Sequence, residues 1–187
     1  LKQQEEILAA LSEIPQYIAE KRNAELLQKE KYIVPLMFTM CQNAMIREEQ
    51  EKLDMATLLL YRLLEMIEQK RLAGYNLYVS KMNYKEIKVN TQMHPEWDGI
   101  DAKELFKQIK ERYLDMKIQL FGKTGNTYMP EQISLLEGFI LLAALDDEML
   151  VRGNSSVIDK LKRIRAMVYL RNNSIFAHGL GPVSQTD

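Results

Sequence analysis

The chain has 187 residues, enough for one domain or one lobe of a larger protein. It is 47% apolar and 27% charged with only 8 Gly and 5 Pro, a composition rich in helix formers and poor in turn residues, so an all-α fold is expected. A net charge of −1 excludes a chain-wide basic footprint for indiscriminate nucleic-acid binding, and a single cysteine, Cys41, excludes an internal disulfide framework. The lone thiol fits a reducing cytoplasm. The longest apolar stretch, Phe139 to Leu145, is too short to cross a bilayer, so no membrane partner is expected. Because the chain starts at Leu1 rather than Met, with helix formers from the first position, it reads as a piece of a longer protein.

Taken in order, residues Gln3 to Glu30 are charged and helical in pattern, with Pro15 implying a kink or a break. Residues 1–32 read as a helical connector and 33–187 as the functional domain. Ile33 to Arg47 forms the next expected helix, with Pro35 in its first turn and Met37, Met40 and Met45 as core filler. Leu53 to Leu72 is strongly amphipathic, with Leu59, Leu63, Met66 and Ile67 on one face, and is expected to lie centrally. Its Arg62 and Glu65 suit an i, i+3 ion pair. From Tyr75 to Gly99 helical periodicity fails. That stretch is an irregular insertion, or a small β-hairpin through Tyr78, Val79, Ile87 and Val89. Helix resumes from Ala102 to Leu120, stops in the Gly122 to Thr127 loop, and runs again from Pro130 to about Leu150. Gly153 and Asn154 turn the chain, and Ser156 with Asp159 resembles a capping box opening the last helix.

That last helix carries the main clue. Stepping alternately by three and four from His178 passes Ile175, Arg171, Val168, Ile164, Leu161 and Val157, an apolar seam interrupted by one arginine and one histidine. Polar groups in such a row are costly unless paired, solvated in a cleft or put to use. Seven residues make almost two helical turns, so Arg171 and His178 share a face about 10 Å apart, with Ser174 between them and Gly179 as a cap. Lys160, Lys162, Arg163, Arg165 and Arg171 face a single acid, Asp159, an excess that either attracts phosphate or is a solvated face. Metal-free RNA cleavage needs a group acting on the ribose 2′-hydroxyl, a proton donor for the departing 5′-oxygen and a cation against the phosphorane. Histidine suits the first two roles and arginine the third. Spacing alone is weak support: with two His in the chain, roughly 0.3 such pairs arise by chance. A buried structural arginine plus a capping histidine fits the same pattern.

Other groupings are less specific. Phe121-Gly122-Lys123-Thr124 lacks the earlier glycine and the preceding strand of a phosphate-binding loop. His94 reads as a loop histidine rather than a metal ligand, and Asp146, Asp147 and Glu148 read as a solvated face. No metal or other cofactor is expected.

Two segments resemble the HEPN domain of CRISPR-associated ribonucleases, especially the CARF–HEPN effectors of type III systems. Leu170-Arg171-Asn172-Asn173-Ser174-Ile175-Phe176-Ala177-His178-Gly179 is similar to the family's signature of Arg, a polar residue and a following His, here with six residues between Arg and His. Leu60-Tyr61-Arg62-Leu63-Leu64-Glu65 is similar to a Tyr-Arg-x-x-Glu helix of the same proteins. The resemblance implies a HEPN-type helical bundle acting as a metal-independent endoribonuclease on single-stranded RNA, leaving a 2′,3′-cyclic phosphate and a 5′-hydroxyl. It implies a homodimer whose composite cleft is lined by Arg171 and His178 of both copies, with Asn172 and Ser174 in support. It also implies a CARF domain, absent from this chain, that binds cyclic oligoadenylate and switches the nuclease on. Two other readings stay open: a non-catalytic RNA- or protein-binding HEPN domain, and the HEPN toxin of a toxin–antitoxin pair.

Overall fold

The computed structural model describes residues 2–20, 23–122 and 127–173. The chain divides into two compact units, residues 1–73 with 169–187, and residues 74–168. All regular structure among the described residues is helical, as the composition requires. None of these helices is long and apolar enough to cross a membrane.

The first unit holds α1 (Lys2–Ala19), α2 (Asn23–Gln28), α3 (Glu30–Glu49) and most of α4 (Leu53–Gly74). Ala10, Ile14, Leu26 and Tyr32 form a buried cluster that joins α1, α2 and α3, with Leu11, Tyr17 and Leu36 packed on it. The Tyr32 hydroxyl donates to Glu13, and the Tyr17 and Tyr32 rings lie 5.2 Å apart. Pro15 sits inside α1 without breaking it; the interruption falls after Ala19. A proline removes one helical N–H, a loss that neighbouring packing here outweighs. Pro35 likewise lies inside α3, which begins earlier than its expected first turn at Ile33.

The methionine face of α3 is not core. Met37 and Met40 are half-buried and Met45 is 56% exposed, while Tyr32, Ile33 and Ala44 are the buried residues of that helix. Tyr32, with Leu36 beside it, carries the α3 contact with α1, and the flexible methionines are left outside that cluster. The turn into α4 places Glu51 at φ 58, in the left-handed region where a glycine is normally expected. Leu59, Leu63, Met66 and Ile67 on α4 are half-buried rather than central.

The second unit is built on α5 (Ala102–Phe121) and α6 (Leu135–Ala144), which pack together, followed by α7 (Glu148–Val151) and the start of α8 (Val157–Asn173). Asp101 caps α5 by accepting from the Lys103 and Glu104 amides, and Leu105, Ile109, Tyr113 and Leu120 form its buried stripe. Gly122, at φ 82, closes the helix; its N–H donates to the Ile118 carbonyl at 2.7 Å. Lys123 and Thr124 lie outside the described residues. From Gly138 to Ala144 every residue of α6 is buried, as its unbroken apolar run implies.

Two sequence expectations change here, both at the ends of α6. α6 starts at Leu135 rather than Pro130, because the Glu137 carboxylate accepts from both the backbone N–H and the hydroxyl of Ser134, at 3.3 and 2.9 Å. It also ends at Ala144. Asp146 takes up φ 49, and Asp147 opens α7 by accepting from the Met149 amide. Of the two readings of Tyr75 to Gly99, the irregular insertion is the one found, with two 3-10 turns, Tyr84–Glu86 and Pro95–Trp97, and no hairpin. Its first arm pairs elsewhere: the Ile133 N–H donates to the Val79 carbonyl and the Met82 N–H to that of Glu131. Only the Lys88 N–H returns to Tyr75, too few bonds for a ladder.

Candidate functional site

The seam of α8 is the less exposed side of that helix. Leu161 is fully buried, and Val157, Ile164, Val168 and Arg171 are half-buried. Lys162, Arg163, Arg165, Tyr169 and Asn172 are exposed. Ser156 and Asp159 open the helix with reciprocal bonds: the Asp159 amide donates to the Ser156 hydroxyl, which donates to the Asp159 carboxylate at 2.8 Å. The helix is described to Asn173. Ser174, His178 and Gly179 lie outside the described residues.

Arg171 meets α4. Its guanidinium carbon lies 4.9 Å from the centre of the Tyr61 ring, and one terminal nitrogen donates to the Asn172 side chain at 3.1 Å. A cation over an aromatic face is held by the ring quadrupole, with stabilisation of about 0.5–2 kcal/mol depending on desolvation. The two segments that resemble one family are thus joined side chain to side chain. In the sequence Tyr61 is one residue of the Tyr-Arg-x-x-Glu likeness and carries no signal of its own for this role. Its spacing gave no hint that it would carry the arginine.

Around that pair, α4 presents a charged face of its own. Arg62 and Glu65 form the expected i, i+3 pair at 2.5 Å. Burial raises the Tyr61 hydroxyl pKa, Glu65 raises it further, and Arg171 opposes both. Glu68, one turn beyond Glu65, is only 2% exposed, and burial with the Glu65 charge pushes its carboxyl up to about 8. One Glu68 carboxylate oxygen is buried without a hydrogen-bond partner. At neutral pH this side chain is therefore mostly a neutral acid on the face that carries Tyr61.

Much of the basic run before Arg171 is engaged within the protein. Lys160 donates to the Leu150 carbonyl at 2.7 Å and to that of Arg152, binding the free carbonyls at the end of α7. Arg165 donates to the Leu120 carbonyl at 3.4 Å and lies over the Phe121 ring. Lys162 pairs with Asp159 at 3.8 Å.

A second polar cluster lies within the second unit. His94, expected as an ordinary loop histidine, is buried and stacked on Trp97 at 3.9 Å. Its Nδ1 is 3.0 Å from Glu96 and its Nε2 3.4 Å from Asp146, which also binds Arg112. Arg112 in turn lies over the Trp97 ring, and the Trp97 indole N–H donates to Gln108. The solvated-face reading of residues 146–148 is wrong for Asp147. It is fully buried, because it must accept both the Tyr75 hydroxyl at 2.9 Å and the α7 amide. These carboxylates fasten the irregular insertion to the turn after α6.

Comparison with known proteins adds one match. The family described as the Csm6 HEPN domain matches residues 24–187. No curated protein matches the chain, and no solved structure does. The matched span includes both α4 with Tyr61 and the Arg171 helix, and it covers most of the sequence. The chain therefore belongs to the Csm6 HEPN domain family, a group of CRISPR-associated, RNA-targeting effector domains.

Proposed function

We propose that this chain is the ribonuclease part of a CRISPR antiviral effector, cleaving single-stranded RNA without a metal through Arg171 and His178. The observation that carries the reading is the Arg171–Tyr61 contact. An arginine held over an aromatic ring keeps its full charge and loses rotamer freedom before substrate arrives, which suits a group that must meet charge as it develops. In the reaction the ribose 2′-oxygen attacks phosphorus and the 5′-oxygen departs with a proton, giving a 2′,3′-cyclic phosphate and a 5′-hydroxyl. Arg171 stabilises the phosphorane, and His178 either orients the 2′-hydroxyl or protonates the leaving oxygen. Asn172, hydrogen-bonded to Arg171, and Ser174 support the site. Two copies pair so that both Arg171–His178 sets line one cleft, under control of a CARF domain that binds cyclic oligoadenylate.

The test is a fluorogenic single-stranded RNA incubated with the purified chain in EDTA, beside Arg171→Ala and His178→Ala. The expected result is cleavage by the parent alone, with a cyclic-phosphate end. Cleavage that survives in both variants, or that starts only on adding a divalent ion, overturns the site. Sedimentation equilibrium checks the pairing: a monomer at high micromolar concentration removes the composite cleft.

A further inference from the structure

The second unit contains a cavity of about 590 Å³ that plays no part in the Arg171 site. Its walls combine Met82, Tyr84, Ala102 and Phe106 with the side chains of Lys85 and Lys103. The volume falls in the range of small-molecule sites, which are mostly apolar with a few placed polar groups. The aromatic part is preset: the Tyr84 hydroxyl donates to the Pro130 carbonyl at 2.8 Å, and its ring stands 5.5 Å from that of Phe106.

The polar groups at the rim differ in what they have left to offer. Asp101 also lines the cavity; one oxygen of its carboxylate accepts from two α5 amides at the helix N-terminus, where the helix dipole offsets its charge. Asn83 accepts from the Lys85 amide through its side-chain oxygen, which leaves its amide N–H donors. Lys85 and Lys103 are exposed, and neither is ion-paired with a carboxylate among the described residues. Aromatic walls, an amide donor and two lysines without a carboxylate partner among the described residues match a ligand that joins a planar heterocycle to an anion.

We propose that this cavity is a subsite for one nucleotide of single-stranded RNA, with the base against Phe106 and the phosphate between Lys85 and Lys103. The RNA source rests on the nuclease reading above; the underlying chemistry, a nucleoside monophosphate, could equally arrive free. Stacking on an aromatic side chain is tolerant of base identity, so the subsite adds affinity rather than strict sequence choice.

The full chain is titrated with a fluorescent 2′-O-methyl RNA, which lacks the attacking hydroxyl, and separately with AMP, while RNA cleavage is followed in parallel. Lys85→Ala with Lys103→Ala is expected to weaken RNA binding about tenfold and to reduce the slope of log affinity against log salt by about 0.7, the signature of one lost phosphate contact on a single strand. Phe106→Leu is expected to weaken binding at every salt concentration with the slope unchanged, and melting curves verify that each variant folds. AMP binding lost in the same variants, with RNA binding untouched, assigns the cavity to a free nucleotide. If the variants weaken RNA binding as expected but the parent cleaves no RNA, the subsite stands and the nuclease reading falls. Unchanged RNA and AMP binding in all variants, or binding of neither by the parent, overturns the subsite.

Discussion

Arg171 and Tyr61 are 110 residues apart in sequence, yet the guanidinium of one lies 4.9 Å from the ring centre of the other. The contact ties the arginine of the α8 seam to α4 and so joins the two family-like segments. If Tyr61 serves as the arginine's platform, its ring matters and its hydroxyl does not. Tyr61→Phe should keep RNA cleavage within about twofold, whereas Tyr61→Leu should lower it about 2- to 30-fold, the rate equivalent of losing a cation–π contact. Initial rates on the fluorogenic RNA in EDTA measure both.

Glu68 makes stability depend on pH. Its carboxyl is raised from 4.5 to about 8 in the folded chain, so between those values the folded state holds a proton that the unfolded state has released. Stability is therefore fully present below the unfolded value and falls as pH rises toward 8, by at most about 1.4 kcal/mol per pH unit. Glu68→Gln should remove this slope and melt higher than the parent at pH 8, with little difference at pH 4.5. Thermal melts across pH 4.5–8.5 follow the effect.

Lys160 should matter to the fold more than a surface lysine does. It binds two carbonyls at the end of α7, and its replacement leaves them without that donor. Lys160→Met is expected to cost about 1–3 kcal/mol in urea unfolding, while Lys162→Met, whose pair with Asp159 is exposed, should stay within about 0.5 kcal/mol.

Glu51 is the clearest site for stabilisation. At φ 58 it takes a conformation that costs an L-residue roughly 1 kcal/mol and a glycine little. Glu51→Gly should therefore raise stability by about 0.5–1 kcal/mol without altering cleavage, read from the same urea curves.

Ser134→Ala separates the two candidate starts of α6. The serine and Glu137 close the first turn, so its loss should cost about 1 kcal/mol, whereas Pro130→Ala should be nearly neutral at the helix start. Amide hydrogen exchange over residues 135–138 gives the local readout.

Helix content and the α8 seam were legible because both follow from local periodicity. Composition pointed to an all-α chain, and stepping by three and four picked out Val157, Leu161, Ile164, Val168 and Arg171, all of which are buried or half-buried in α8. Capping chemistry was legible at Ser156 and Asp159, where both partners lie within four residues. It was missed at Ser134, because the proline at 130 is the louder signal and nothing local says that residues 131–133 pair with the insertion instead.

What the sequence by itself determined is the class of fold, the sheltered row of the last helix and the likeness carried by Arg171, His178 and the Tyr61 segment. Tertiary structure alone decided which groups those residues meet. It put Tyr61 beneath Arg171, buried Glu68 and Asp147, turned Lys160 and Arg165 toward backbone carbonyls, and left the α3 methionines outside the core. The reason is physical: periodicity reports which side of a helix is apolar, whereas the cost or use of a charge depends on the dielectric and the partners brought to it from distant parts of the chain.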